Sequence, residues 1–269
     1  MNNAKQPEAS AGEIAVVTGA GSGIGRAVAL ALSECPVTVV AVGRKRAALD
    51  ETAALARGRI LATPGDIAIP AGRDDVVRRC RSLGRVRFLV HGAGIHPIEA
   101  LSAITVESWR EVMTTNVESR LFLSRDLLPC FAPGGRVLFV GSNSATRARI
   151  GSTGYCVGQA ASFMLQECLK AECAPHHVLV TSAIPSPAHT PMIDAQIAAD
   201  RALYPDAAEY RRLRDAGRLV APAAVGKFFR WLLTEVDAPE FVAREWNIQD
   251  PGHQARWLGG ASLYASIPR

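Results

Sequence analysis

Three of the four glycines in the segment TGAGSGIG, at positions 19, 23 and 25, mark a turn between a β-branched run and an apolar helical run. Each has its own task beside a bound pyrophosphate. Gly19 permits the tight turn out of the strand, Gly23 lets phosphates approach the backbone, and Gly25 lets the helix pack close to the strand. The following helix offers free N–H groups and the positive end of its dipole to the anion. A glycine turn alone is a weak signal, but as the first turn of an alternating strand–helix chain it points to a dinucleotide. The end of the next strand distinguishes the forms of that ligand. Asp or Glu there bonds a free ribose 2′-hydroxyl, whereas this chain has Gly43 followed by Arg44, Lys45 and Arg46. A cationic fork suits a 2′-phosphate, so the expected ligand is NADP(H) in preference to NAD(H). The alternative is a solvated basic loop before a helix.

The elements that must position this turn are legible as alternating runs. Short apolar, β-branched segments occur at 14–18, 37–42, 59–63, 87–92, 136–142 and 178–184, with a last strand expected near 241–248. Helical stretches fill the gaps, including 105–130, 155–174 and 222–235. Strands that are apolar throughout are buried on both faces, which requires a parallel sheet covered by helices on each side. The expected fold is therefore a single α/β domain of Rossmann type over residues 13–269, preceded by a polar, disordered leader at 1–12. It has a doubly wound parallel sheet of about seven strands in the order 3-2-1-4-5-6-7.

Composition narrows the function classes. The 269 residues are 48% apolar, which suits one large core. A net charge of +5 is spread over scattered arginines with no aromatic platform, which argues against nucleic-acid binding. Six cysteines without a CxxC pair read as thiols in a reducing cytoplasm. No signal-peptide core or apolar run of bilayer length is present, and the six histidines are too dispersed for a metal site.

The spacing of TGAGSGIG resembles that of the short-chain dehydrogenase/reductases, and later landmarks extend the resemblance over about residues 13–250. Asp66 in PGDIA is similar to the family's adenine-contacting aspartate, and HGAG at 91–94 stands where the family carries NNAG. Asn116 resembles the structural and catalytic asparagine, Ser142 and Tyr155 the catalytic serine and tyrosine, and Thr190 the threonine that contacts the carboxamide. The resemblance implies hydride transfer to a carbonyl, with Tyr155 donating the proton and Ser142 holding the oxygen. It also implies cofactor contacts from Gly19, Ser22, Gly23, Ile24, Gly25, Arg44, Asp66, Ile67, Gly92, Ala93, Gly94, Gln159 and Thr190.

The chain departs from the family at several points. The family's YxxxK is here Tyr155, Cys156, Val157, Gly158, Gln159. That lysine lowers the tyrosine pKa and holds the ribose; Gln159 sits one helical turn from Tyr155 and keeps only hydrogen bonding. Losing the charge hurts alcohol oxidation most, so a bias towards reduction is expected. Ser186 replaces a glycine, His189 an aspartate, and His91 with Gly92 two asparagines. His91 reads either as a proton relay or as a structural histidine. A second function therefore stands beside the reductase: a degenerate member that binds dinucleotide without redox turnover, or does redox-neutral chemistry.

The segment 185–217 is polar and arginine-rich, an excursion expected to cover the substrate from about 190 to 217. Arg147 and Arg149 either meet an anionic substrate group or are solvated loop arginines. GSNSATRARIGSTGY is similar to dehydrogenases of dihydroxy-cyclohexadiene carboxylates, and 185–233 to carbonyl reductases, so the expected substrate is a small cyclic or aromatic metabolite. By analogy with the family, a homodimer or homotetramer pairs through 105–130 and 155–174, using Phe163, Leu165 and Leu169.

Overall fold

The computed structural model describes residues 12–264; the expected leader lies outside them apart from Gly12. Seven strands arise from the β-branched runs: β1 Glu13–Thr18, β2 Thr38–Gly43, β3 Ile60–Pro64, β4 Arg85–His91, β5 Phe131–Val140, β6 Leu179–Ile184 and β7 Trp246–Asn247. They form one sheet in the order β3-β2-β1-β4-β5-β6-β7, with every pairing parallel. This is the expected order. It reverses between β1 and β4, which opens a crevice at the carboxyl ends of those strands.

Eleven α-helices accompany the sheet among the described residues: α1 Gly23–Leu32, α2 Arg46–Ala54, α3 Pro70–Leu83, α4 Val106–Met113, α5 Ser119–Leu127, α6 Thr153–Cys173, α7 Pro191–Ala198, α8 Ala207–Asp215, α9 Pro222–Thr234, α10 Ala238–Val242 and α11 Pro251–Trp257. One core packs Val17 and Val39 of the sheet against Val28, Phe228, Trp231 and Trp257. The other packs Val16 and Leu89 against Val77, Leu127 and Leu169. Successive residues of β1 thus serve opposite faces, the period-two alternation of a strand buried on both sides. No helix among the described residues is long and apolar enough to cross a membrane.

The structure corrects three expectations. The last strand is only Trp246–Asn247, because Ala238–Val242 is helical. Asp237 caps that helix by accepting from the Glu240 N–H at 2.8 Å, and Pro239 occupies its first turn. The helix expected over 105–130 is interrupted by a π turn at Thr114–Glu118. Asn116 lies in that turn and bonds backbone outside the helix, a common setting for such bulges. Finally, Leu169 is buried in the protein's own core and cannot supply a pairing face, while Leu165 is half-buried against that core. Met164 and Val157 are the exposed apolar residues of α6.

The excursion at 185–217 contains α7 and α8. Ile193 and Ile197 of α7, Tyr204 of the connecting turn and Tyr210 of α8 gather with Leu219 into a third cluster. Its polarity lies outside, and the segment has a small core of its own.

Candidate active site

A cleft of about 690 Å³ opens across the β1/β4 reversal. The glycine turn forms one wall. Gly19 has φ +70°, the left-handed region that glycine enters without strain. A Cβ at Gly25 would lie 2.2 Å from the Gly19 carbonyl oxygen, so helix and strand approach as closely as the glycine spacing requires. Ser22 is the N-cap of α1 but makes no side-chain cap bond, leaving the first-turn N–H groups to the cleft. This close, uncapped cradle fits the pyrophosphate of a dinucleotide.

Thr18 ties this wall to its neighbour. Its hydroxyl donates to the Val90 carbonyl and accepts from the N–H groups of Gly92 and Ala93, each at 3.1 Å. The HGAG segment is thereby held against the glycine turn. Gly19, Ser22, Gly23, Ile24, Gly25, Arg44, Asp66, Ile67, Gly92, Ala93, Gly94, Gln159 and Thr190 all line the cleft. Asp66 accepts from the Ala68 N–H at 3.0 Å, a short Asx turn that fixes its carboxylate. Arg44 and Lys45 are exposed at the rim, and neither pairs with a carboxylate among the described residues, whereas Arg46 is bound to Asp50 at 2.8 Å.

Ser142 and Tyr155 line the same cleft. Ser142 follows β5 and accepts from the Ser144 N–H at 3.1 Å. Tyr155 lies in the first turn of α6, half-buried, with Gln159 one turn further on. Burial pushes the Tyr155 phenol up, while the Ser142 hydroxyl and then the Arg120 guanidinium work in the opposite direction. Asn116 does not line the cleft. It is fully buried, and its amide exchanges two bonds with Ile95, donating to the carbonyl and accepting from the N–H at 2.9 Å each. Its observed work is to fix the loop after HGAG.

His91 is structural in geometry. It is buried, bonds Ser124 at 2.8 Å and leans on Phe139. Burial, then Arg120, drives its pKa well below 6.5 and keeps the ring neutral. Arg149 pairs with Asp206 and donates to Ser144 Oγ at 3.0 Å. It therefore fastens the loop after Ser142 to the start of α8, a role neither sequence reading contained. Ser186 has φ +58°, so the serine in the family's glycine position occupies a conformation that favours glycine.

Two residues were missed in the sequence. The His96 ring stacks on Tyr155 with centroids 3.8 Å apart and planes within 9°. Its nitrogens are held by Ser152 at 2.7 Å and Gln196 at 2.8 Å, and burial with Arg149 nearby lowers its pKa to about 4. No motif marks a lone histidine in a loop. Arg120 is buried beneath the cleft, and here a signal existed. Asn116, Arg120, Leu123 and Leu127 recur at helical spacing on one buried face, and arginine is foreign to such a stripe. No cluster of metal-ligating side chains occurs among the described residues.

The geometry has counterparts in known proteins. The family model described as short chain dehydrogenase matches residues 13–201. An uncharacterized oxidoreductase of Staphylococcus haemolyticus is 32% identical over 187 residues, covering 68% of this chain and 81% of that protein. D-beta-hydroxybutyrate dehydrogenase of Rhizobium meliloti is 28% identical over 191 residues, covering 68% and 74%. The structure of L-sorbose reductase from Gluconobacter frateurii, complexed with NADPH and L-sorbose, superposes with a TM-score of 0.78 at 27% identity, covering 88% of this chain and 95% of that one. A family match over well over half of the sequence, on a sheet of the same order and a cleft built at its switch point, makes this chain a member of the short-chain dehydrogenase/reductases, oxidoreductases that bind a nicotinamide dinucleotide.

Proposed function

We propose that the protein is an NADP(H)-dependent reductase that acts on a carbonyl of a small cyclic or aromatic metabolite. The observation that carries this reading is the meeting of Ser142, Tyr155 and the glycine cradle in one cleft whose rim bears Arg44. The bound nicotinamide supplies the hydride. The residues do the rest: Ser142 orients the carbonyl oxygen by donating to it, and Tyr155 passes its phenolic proton to that oxygen. Burial keeps Tyr155 protonated, as a proton donor must be. Gln159 can hydrogen-bond the ribose without a charge, and Thr190, the N-cap of α7, closes the far side of the turn.

Residues from about 190 to 217 form the substrate cover. Met192, Ile193 and Tyr210 line the cleft together with Ile95 and His96, an apolar lining with flat rings that favours a ring substrate. Asn116 serves by fixing the Ile95 loop. Two copies pair through the outer face of α6, where Met164 is 59% exposed. The six unpaired thiols fit a reducing cytoplasm.

Carbonyl-dependent oxidation of NADPH, followed at 340 nm over a panel of cyclic and aromatic ketones and diketones, tests the reaction. Turnover that falls at least about a hundredfold in Tyr155→Phe is expected. The second reading, a dinucleotide binder without redox turnover, is favoured by Gln159 together with the other departures from the family pattern. It prevails if no carbonyl is reduced and Gln159→Lys restores nothing.

A further inference from the structure

Arg120 is a buried cation without a counter-ion. Its guanidinium donates to Ser162 Oγ at 2.7 Å and to the carbonyl oxygens of Val140 and Ala93 at 3.4 Å each. Nε has no partner, and no carboxylate pairs with the group among the described residues. Burial lowers its pKa only to about 10, so it stays charged at neutral pH. A buried charge held by neutral groups alone is costly, and such an arrangement makes sense where an anion forms nearby.

The fold shows where that anion forms. Ser162 stands two helical turns after Tyr155 and three residues after Gln159, so Arg120 docks on the face of α6 that carries both. It lines the cleft together with Tyr155 and Ser142. Around Tyr155 the other groups are His96, held neutral; Tyr210; and Arg149, whose charge is matched by Asp206. His91, which shares the Phe139 ring with Arg120, is also neutral. Among the described residues, Arg120 is therefore the buried cation beside Tyr155 that no carboxylate compensates, unlike Arg44 and Lys45, which are exposed at the rim.

We propose that Arg120, reaching in from α5, supplies the positive charge that steadies the Tyr155 phenolate, a charge which Gln159 cannot provide. The inference rests on Tyr155 being the proton donor. When Tyr155 passes its proton to the carbonyl oxygen, the phenolate left behind shares the cleft with the guanidinium until solvent reprotonates it. In alcohol oxidation the same phenolate is the base. Arg120 thus offsets part of the bias towards reduction that Gln159 sets. It acts through Tyr155 and is a positioning residue.

The test is the Tyr155 ionisation itself, read by NMR of tyrosine labelled with ¹³C at Cζ in the protein without dinucleotide. The chain has four tyrosines, and Tyr155→Phe assigns the signal. Arg120→Met is expected to raise the Tyr155 pKa by about one unit or more. Arg120→Gln, which keeps hydrogen-bond donors for Ser162, gives the same rise if the methionine variant folds poorly. Arg120→Lys stays within about half a unit of the parent, and adding Gln159→Lys to Arg120→Met brings the value back down. The alkaline limb of any oxidation profile moves with it. A well-folded Arg120→Gln or Arg120→Met protein whose Tyr155 pKa is unchanged overturns the proposal. A responsive Tyr155 in a protein that reduces no carbonyl upholds the charge and sinks the reductase; turnover with an unresponsive Tyr155 does the reverse.

Discussion

The pair Arg149–Asp206 joins the loop after Ser142 to the 185–217 segment, the proposed substrate cover, and its exposure makes a directional prediction possible. The Arg149 side chain is 9% exposed and that of Asp206 23%. Fully exposed ion pairs contribute about 0–1 kcal/mol, while removing one partner of a buried pair costs about 3–5 kcal/mol. This pair lies between those limits, and its two ends are unequal. Asp206→Ala strands a nearly buried guanidinium beside His96 and Tyr210, so a loss of about 2–3 kcal/mol is expected. Arg149→Met leaves a carboxylate that can still reach water and keeps the aliphatic packing, for a loss of about 1–2 kcal/mol. The double variant should lose less than the sum, because neither charge is then stranded. Urea unfolding reads the global loss, and limited proteolysis between 185 and 217 reads local release of the cover. Substrate KM should rise while dinucleotide affinity holds, since the glycine turn shares no contact with the pair. Asp206→Ala within about 0.5 kcal/mol of the parent, with unchanged proteolysis, would refute the claim that this pair holds the cover down.

Three further outcomes follow from named atoms. Ser186→Gly removes a left-handed serine, φ +58°, and should stabilise the protein by up to about 1 kcal/mol in chemical denaturation; a destabilised variant would show that the serine hydroxyl matters more than the backbone. Arg44→Ser should weaken NADPH binding by about tenfold or more and leave NADH binding unchanged, as isothermal titration would show. His96 has a folded pKa of about 4 against about 6.5 when unfolded, so the unfolded chain binds the extra proton between those values. Its stabilising contribution is complete above pH 6.5 and falls as pH drops, with a slope of about 1.4 kcal/mol per pH unit at most. His96→Gln should flatten unfolding free energy against pH in that window, and an unaltered slope would place the acid sensitivity elsewhere.

The sheet was legible as parallel because its strands are apolar on both faces and alternate with helices, and its order came with the dinucleotide-binding fold that the glycine turn announces. β7 was overread: FV in Phe241–Val242 has strand-forming residues, yet Asp237, Pro239 and Glu240 carry the start signals of a helix, and the cap prevailed. The dinucleotide wall was legible for a similar reason, since Gly19 and Gly25 have few alternatives at that spacing. Ser142 and Tyr155, singled out by their separation, line one cleft. His96 and Arg120 were not foreseen, because their importance comes from what packs beside them. The arginine-rich 185–217 segment hid a core, since Tyr204 and Tyr210 become apolar anchors only when α7 and α8 fold over them. Arg149 was read either as a substrate contact or as a solvated loop arginine, and the partner that occupies it lies 57 residues away in sequence.

The central claim is that the cleft beside Gly19–Gly25 is built for NADP(H), and a fluorescence titration of the full chain with NADPH and with NADH tests it most directly. Saturable binding of both is expected, with NADPH tighter by about tenfold or more because Arg44 and Lys45 can meet its 2′-phosphate. Binding of NADH as tight as that of NADPH would contradict the assignment of the phosphate to these cations. No binding of either would contradict the account of the cleft.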